Sequence, residues 1–147
     1  MKVFLTILLF CISTANLQSQ NKVIRGRVIS ESFETMPGVS ISINDSIQIA
    51  ETDMEGFFRI EIPLSVKKLS FRFIGLETTN VQLIDNCDEV EIVMMLGMHY
   101  DFITPKKVDR RRKKRFTRLP ELHKKAFNDG IFKTDRACYI QKFEYLW

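Results

Sequence analysis

Residues 49–75, IAETDMEGFFRIEIPLSVKKLSFRFIG, decide the fold that this sequence predicts. Apolar and polar side chains alternate through residues 57–62, which is the period of a half-buried β-strand. Residues 52–56 come just before this strand and contain the Asp and Gly of a tight turn. Pro63 ends the strand because it has no N–H to donate, and a second alternating run follows at residues 69–73. The stretch therefore predicts a strand, a hairpin turn, a second strand, a short link and a third strand.

The acidic residues of this turn allow a second interpretation, because Asp53 and Glu55 could belong to a calcium or acid–base site. A calcium ion takes about six to eight oxygen ligands, and the turn supplies few of them. We therefore expect a structural role, in which Asp53 accepts hydrogen bonds from backbone N–H groups of the turn.

The same alternation recurs outside the stretch, in short runs bounded by Gly, Pro, Asn or Asp. These runs are residues 23–29, 39–43, 47–49, 76–83 and 90–94. About seven short strands at this spacing predict an all-β sandwich or barrel, and the short connections predict antiparallel pairing. Gly26 interrupts the first run, which indicates either a bulge or a close approach by another backbone.

The order of these runs resembles the carboxypeptidase-regulatory-like domain, a transthyretin-like fold. The motifs that carry the resemblance are IRGRV at 24–28, MPGVSI at 36–41, TDMEGFFRI at 52–60, LSFRFIGL at 69–76 and a Val-rich last strand. The resemblance covers about half the chain, residues 22–97. It implies a seven-stranded antiparallel Greek-key β-sandwich that serves as a non-catalytic accessory module.

Domains of this kind are common in exported proteins of the Bacteroidetes, often at the N-terminus of SusC-type TonB-dependent receptors of the outer membrane. The residues after position 97 do not resemble the membrane part of those receptors. The broader superfamily includes starch-binding-like domains, so the resemblance also makes contact with a polysaccharide conceivable.

Charge divides the chain into two parts. Residues 20–97 carry 7 basic and 12 acidic side chains, whereas residues 98–147 carry 14 basic and 6 acidic ones. We therefore expect an acidic sandwich, 20–97, followed by a basic C-terminal extension, 98–147. Within the extension, residues 119–128 predict a helix, with Pro in its first turn and Gly just after its end. The aromatic-rich residues 131–147 fit a helix or a strand equally, and they are expected to pack on the sandwich or on a partner.

Eight of the ten residues 106–115 are basic. One interpretation is a solvated helix that contacts the acidic domain of the same chain. The other is binding of phosphate groups on lipopolysaccharide, on an anionic lipid surface or on nucleic acid, although nucleic acid is disfavoured because the sequence contains no base-reading motif. The candidate anion-binding residues are Arg110, Arg111, Arg112, Lys113, Lys114 and Arg115.

Residues 1–19 are predicted to be a secretory signal peptide. Lys2 precedes an apolar run of ten residues, VFLTILLFCI, and small and polar residues follow, which is the order of such a signal. The run is shorter than the about 20 apolar residues of a membrane-spanning helix, so the exported chain is not expected to be transmembrane. Cleavage could follow Ala15 or Ser19. A buried first element is the alternative, and lipidation of Cys11 is disfavoured because no small residue precedes it.

Export would place the two remaining cysteines in an oxidising compartment. Cys87 and Cys138 could pair in an oxidising compartment and tie the extension to the sandwich, provided that their Cα atoms come within bonding distance. No CxxC pattern or nearby His completes a metal-ligand set. His99 and His123 are therefore expected at the surface.

The sequence contains none of the common catalytic or nucleotide-binding motifs. Glu89 and Glu91 lie on one face of a predicted strand, and that face is expected to meet solvent. We therefore expect no cofactor and a non-catalytic, exported binding or scaffolding module of the cell envelope. It would act in the periplasm or at the periplasmic face of the outer membrane, with an envelope protein as partner and in the service of an outer-membrane transport system. The alternatives are a polysaccharide-binding module and an unrecognised small enzyme.

Overall fold

The computed structural model describes residues 20–146, so the predicted signal peptide, Cys11 and Trp147 lie outside the described residues. Within them, strands form two sheets, and two helices follow the seventh strand. The strands are β1 (Asn21–Ser30), β2 (Ser40–Ile43), β3 (Ile47–Glu51), β4 (Phe57–Pro63), β5 (Lys68–Arg72), β6 (Thr79–Leu83), β7 (Glu89–Met94) and β8 (Tyr139–Gln141). The helices are α1 (Pro105–Phe116) and α2 (Leu119–Asn128).

The two sheets have the strand orders β4-β1-β7 and β3-β2-β5-β6-β8. Every pair in the second sheet is antiparallel, as is β1 with β4. The pair β1–β7 is parallel, so the expectation of purely antiparallel pairing is wrong here. That expectation rested on short connections, and these two strands are the first and last of residues 20–97, with no short turn between them. The predicted all-β, two-sheet arrangement is confirmed.

The main core lies between the sheets. Phe58 of β4 and Phe71 of β5 meet in this core, with their ring centroids 5.6 Å apart. In β4 the predicted alternation is confirmed, because Phe58, Ile60 and Ile62 are buried while the residues between them are exposed. Most of the other buried members of this core are Ile and Val, and several Phe side chains, such as Phe57 and Phe73, are exposed instead.

Asp53 has the structural role that the sequence predicts for it, but the predicted hairpin is wrong. Strands β3 and β4 lie in different sheets, so the chain crosses from one sheet to the other at this turn. One carboxylate oxygen of Asp53 accepts hydrogen bonds from the backbone N–H of Glu55 at 3.0 Å and of Phe57 at 2.8 Å. Gly56 completes the turn with a φ of 79°, a conformation that side chains other than that of Gly rarely adopt.

Replacing Asp53 by Ala is expected to lower the free energy of unfolding by about 1–2 kcal/mol, because two backbone N–H groups lose their acceptor. Asp53→Asn keeps one carbonyl oxygen and should lose less than half of that amount. Urea unfolding followed by circular dichroism measures both values. Equal losses for the two variants would contradict the hydrogen-bonding role.

A second, smaller core joins the C-terminal extension to the outer face of the first sheet. Its buried members are Ile29, Val93, Met95, Leu119, Ala126 and Phe132. Strand β7 therefore has both faces covered, one by the main core and one by α2 and the residues after it. The expectation that one face of this strand meets solvent is wrong, because the extension packs against it.

The extension also adds an eighth strand to the seven that the sequence predicts. Residues 139–141, which the sequence leaves open between helix and strand, form β8 and pair antiparallel with β6 at the end of the second sheet. The aromatic-rich C-terminal residues thus pack on the sandwich, which is one of the two arrangements expected from their composition.

Candidate functional site

A cavity of about 590 Å³ lies between α2 and β8, and we call it the α2–β8 groove. Its lining is largely apolar, and the exposed Asp135 and Arg136 add two charged groups. The apolar part of the lining includes Val93, Phe116, Leu119, Pro120, Ala137 and Ile140. A concave apolar surface with a few polar groups is the usual form of a binding site.

The groove exists because the chain reverses after α2. Gly130 has a φ of 73°, and the N–H groups of Ile131 and Phe132 then donate to the carbonyl of Ala126 at 2.8 and 3.2 Å. This reversal buries Phe132 beside His123 of α2, with ring centroids 4.8 Å apart. The following residues run back toward the sandwich and form the wall of the groove opposite α2.

That wall is attached covalently to the sandwich. The structure joins Cys87, in the turn between β6 and β7, to Cys138, which directly precedes β8, and their Cα atoms are 5.4 Å apart. The two cysteines that the sequence singles out as a candidate pair are therefore brought together. The bond holds the extension in place across 51 residues of sequence.

Replacing both Cys87 and Cys138 by Ser is expected to lower the free energy of unfolding by about 4 kcal/mol, the loop-closure value for a loop of this length. Amide hydrogen exchange of residues 139–141 should become faster, because β8 loses its covalent anchor. Dithiothreitol should produce the same shift in the unmodified protein and none in the double variant. Unchanged stability in both experiments would contradict an anchoring role.

A buried carboxylate fixes the loop between α2 and β8. Glu91 of β7 is only 2% exposed. Its side chain accepts hydrogen bonds from the backbone N–H of Lys133 at 2.6 Å, and from the N–H and hydroxyl of Thr134 at 3.0 and 2.7 Å. In addition, the hydroxyl of Tyr139 donates to the backbone carbonyl of Glu91 at 2.8 Å. Burial, and then the charge of Glu91, raise the pKa of Tyr139, so this phenol stays a donor.

His123 lies next to this network and is 4% exposed. Its Nε2 is 3.1 Å from the carbonyl oxygen of Thr134 and 3.4 Å from the hydroxyl of the same residue. Burial lowers the pKa of His123, although the charge of Glu91 opposes that effect. The ring is therefore neutral at pH 7, and the carbonyl contact assigns its proton to Nε2.

This tautomer determines whether His123 can act as a base toward the hydroxyl of Thr134. A His that activates a hydroxyl must accept its proton, but Nε2 of His123 already carries a proton that it donates to the Thr134 carbonyl. The hydroxyl of Thr134 is in turn turned toward Glu91 at 2.7 Å. The arrangement therefore positions a loop rather than activating a nucleophile. Nδ1 of His123 is left as a buried acceptor with no partner among residues 20–146.

A second cavity, of about 370 Å³, lies between α1, β6 and the last described residues, and we call it the α1–C-terminus groove. Tyr100, Phe143 and Tyr145 contribute aromatic rings to its lining. Asn80 also lines it, donates to a carboxylate oxygen of Glu144 at 2.9 Å and has its own buried carbonyl oxygen unpartnered in the described part of the chain. This groove is more polar than the α2–β8 groove and offers both rings and hydrogen-bonding groups.

Two arginines of the basic run 106–115 join α1 to the sandwich. Arg112 donates to Glu77 at 2.9 Å and to Asp109 at 2.9 Å, and Arg115 pairs with Glu31. Burial works against the charge of Arg112, but the hydrogen bonds and charges of Glu77 and then Asp109 outweigh it and raise the pKa. These two arginines therefore fasten the helix to the acidic sandwich, and they are not free to bind another anion.

The other candidate anion-binding residues face away from the sandwich. Arg110, Arg111, Lys113 and Lys114 are exposed, and the amine of Lys113 lies 2.9 Å from the hydroxyl of Tyr145. The predicted contact between this helix and the acidic domain is therefore present on one side of α1, whereas binding of phosphate groups by the exposed side stays a prediction.

Two residues of the buried network are placed wrongly by the sequence. His123 and Glu91 are expected at the surface, yet both are buried, whereas His99 is exposed as expected. The sequence contains a signal for the burial of each of the two misplaced residues. His123 is four residues after Leu119 and three before Ala126, on the apolar stripe of α2. Glu91 lies in a nearly continuous apolar run, which is typical of a strand covered on both faces.

No protein-family model and no curated protein matches this chain. The fold and the grooves define a protein class, a two-sheet β-sandwich-like domain with a helical C-terminal extension folded back on it. Neither helix of the described residues is long and apolar enough to cross a membrane. Within residues 20–146, no three His, Cys, Asp or Glu side chains converge as metal ligands.

Proposed function

We propose that this protein is an exported, non-catalytic binding module of the cell envelope, accessory to an outer-membrane transport system. The proposal includes the signal peptide at residues 1–19 and a periplasmic location, and the disulfide of Cys87 and Cys138 suits that oxidising compartment. It also includes a Greek-key, transthyretin-like sandwich of the carboxypeptidase-regulatory-like type, which the strand motifs of residues 22–97 support. The observation that carries the function is the apolar α2–β8 groove along an unpaired sheet edge.

The partner is an extended apolar segment of an envelope protein. Strand β8 is the last strand of the second sheet, so the backbone groups on its outer side have no neighbouring strand in the described part of the chain. An incoming strand could hydrogen-bond to those groups. Because side chains alternate along a strand, every second side chain of the partner would enter the groove beside Ala137 and Ile140.

A photo-cross-linking amino acid at Ala137 is expected to capture one envelope protein in the native cell. Ala137 is exposed and lines the groove. The same amino acid at Ser65, an exposed residue in the turn after β4, is the matched control and should capture nothing specific. The cross-linked peptide of the partner should have an alternating apolar sequence. Capture at both positions alike, or at neither, would contradict the proposal.

A substitution that fills the α2–β8 groove tests the proposal independently, through the affinity for the partner. Ala137→Trp should lower the affinity for the captured peptide by at least about tenfold, because the new ring occupies the space of a partner side chain. Ser65→Trp should leave the affinity unchanged, and both variants should unfold at the same urea concentration as the unmodified protein. An unchanged affinity for Ala137→Trp would place the partner elsewhere.

A polysaccharide is the second candidate ligand, and the α1–C-terminus groove favours it. Its aromatic rings can stack on sugar rings, and Asn80 and Glu144 supply hydrogen-bonding groups of the kind that bind hydroxyls. A glycan array should then give signals that Tyr145→Ala abolishes and Ala137→Trp leaves intact. No signal above that of a non-binding protein would remove this candidate.

A further inference from the structure

An exposed apolar surface lies at one end of the sandwich. The turn between β5 and β6 packs against the residues that follow β7, because the N–H of Gly97 donates to the carbonyl of Gly75 at 2.7 Å and Leu76 forms a bridge with Leu96. Ile74, at the tip of this turn, is 96% exposed. The apolar tip, as we call this surface, consists of Phe73, Ile74, Leu96 and Met98, all of which are exposed.

Phe102 adds an exposed apolar side chain just before α1. It lies on the short connection between the tip and the helix, and its side chain is fully exposed. Its φ of 60° is in the left-handed region, which is unfavourable for a bulky side chain. Strained residues of this kind cluster at functional sites, and an exposed ring gains nothing from the core of its own domain.

Unpaired cations lie directly beyond this connection. Lys106, Lys107, Arg110, Arg111 and Lys114 of α1 are exposed, and none of them forms an ion pair within residues 20–146. The end of α1 is joined to the tip itself, because the guanidinium of Arg115 donates to the carbonyl oxygen of Leu96 at 2.7 Å. The apolar tip thus contacts the C-terminal end of α1, Phe102 precedes the N-terminal end of the helix by three residues, and the free cations lie on its outer side. We call these exposed residues together the α1 neighbourhood.

We propose that this neighbourhood docks the protein on an anionic lipid surface. Apolar side chains such as Ile74 and Phe102 enter the boundary between headgroups and acyl chains, while the free cations of α1 hold the lipid phosphates. The strength of binding to a membrane surface increases with the apolar area that is buried and with the attraction to anionic lipids, and this surface offers both contributions. Free phosphate polymers would bind the cations but would gain nothing from contact with the apolar tip. The proposal goes beyond the binding function at the α2–β8 groove and does not depend on it.

Flotation of the purified protein with lipid vesicles tests this docking. The protein should float with vesicles that contain phosphatidylglycerol and not with vesicles of phosphatidylcholine alone, and binding should weaken as salt is raised. Arg110→Gln with Arg111→Gln should lower the partition coefficient by about 10- to 30-fold. The matched control replaces Arg25 and Arg59, an exposed pair on adjacent strands, by Gln, and it should change the coefficient less than about twofold.

A second double variant tests the contribution of the exposed apolar side chains. Ile74→Ser with Phe102→Ser should lower the partition coefficient by roughly tenfold or more, while circular dichroism and urea unfolding remain unchanged because both side chains are exposed. A 20-base-pair DNA duplex serves as a phosphate polymer without a lipid phase. Equal binding to both kinds of vesicle, or an Arg110/Arg111 variant that floats like the control, would overturn the proposal. DNA binding as tight as lipid binding and insensitive to the Ile74/Phe102 variant would also overturn it.

Discussion

Replacing Gly26 by Ala is expected to lower the free energy of unfolding by about 3 kcal/mol or more, the upper range for overpacking a core. A Cβ atom at this position would lie 1.7 Å from the carbonyl oxygen of Val90, 2.6 Å from its carbonyl carbon and 2.9 Å from the ring of Phe58. Two of these three neighbours are backbone atoms of β7, so no side-chain rotation relieves the clash. Strands β1 and β7 would have to separate at the point where Gly26 pairs with Val90.

Urea unfolding of the disulfide-bonded protein measures this effect, and Gly75→Ala is the matched control. Gly75 has a φ of 83°, and nothing lies within 4 Å of its added Cβ, so this variant reports only the cost of the left-handed conformation, about 1–2 kcal/mol. Gly26 differs in both respects, because its φ is not positive and an added Cβ would clash with β7. A Gly26→Ala variant no less stable than Gly75→Ala would show that β7 can move away without loss.

The same glycine shows how far the sequence could predict the fold. Its position within an alternating run predicts a bulge or a close backbone approach, and the structure has the close approach. The alternation itself is a local signal, which is why β4 and the core side chains of residues 57–62 could be predicted residue by residue. The identity of the approaching strand is not local, because Val90 lies 64 residues further along the chain.

The candidate site was harder to predict for the same physical reason. Both grooves form at the contact between the C-terminal extension and the sandwich. The residues at this contact have sequence patterns that fit more than one secondary structure. Residues 131–147 fit two periods, and only pairing with β6 selects the strand at 139–141. His123 and Glu91 would each be exposed if α2 did not pack on β7. The apolar stripe of α2 and the apolar run of β7 indicate that each element has a covered face, but not that the two cover one another.

Charge is the one long-range signal that the sequence carries. Its separation into an acidic and a basic part offers contact between them as one of two interpretations, and Arg112 with Glu77 and Arg115 with Glu31 provide that contact. These pairs use only part of the basic run. The exposed remainder of α1 is therefore available for the anionic surface, and the same helix can both fasten the extension and dock the protein.

Replacing Glu91 by Ala is expected to lower the free energy of unfolding by about 3–5 kcal/mol. Glu91 is the acceptor for two backbone N–H groups and one hydroxyl of residues 133–134. Each donor that is left buried without a partner costs about 1–3 kcal/mol, and the backbone N–H groups of Lys133 and Thr134 have no other acceptor among the described residues. The loop after α2 should therefore detach, and the wall of the α2–β8 groove should become disordered.

Two further variants separate this role from charge alone. Glu91→Gln keeps the shape and one acceptor oxygen, so it should lose only about 1–2 kcal/mol. Glu89→Gln removes a neighbouring carboxylate whose partner, the amine of Lys133 at 2.9 Å, is exposed, and it should cost less than about 1 kcal/mol. Hydrogen exchange of the amides of Lys133 and Thr134 should accelerate in the order Glu89→Gln, Glu91→Gln, Glu91→Ala. If Glu91→Ala left these amides protected, the loop would be held by the apolar contacts of Phe132 instead, and the groove would survive without its buried carboxylate.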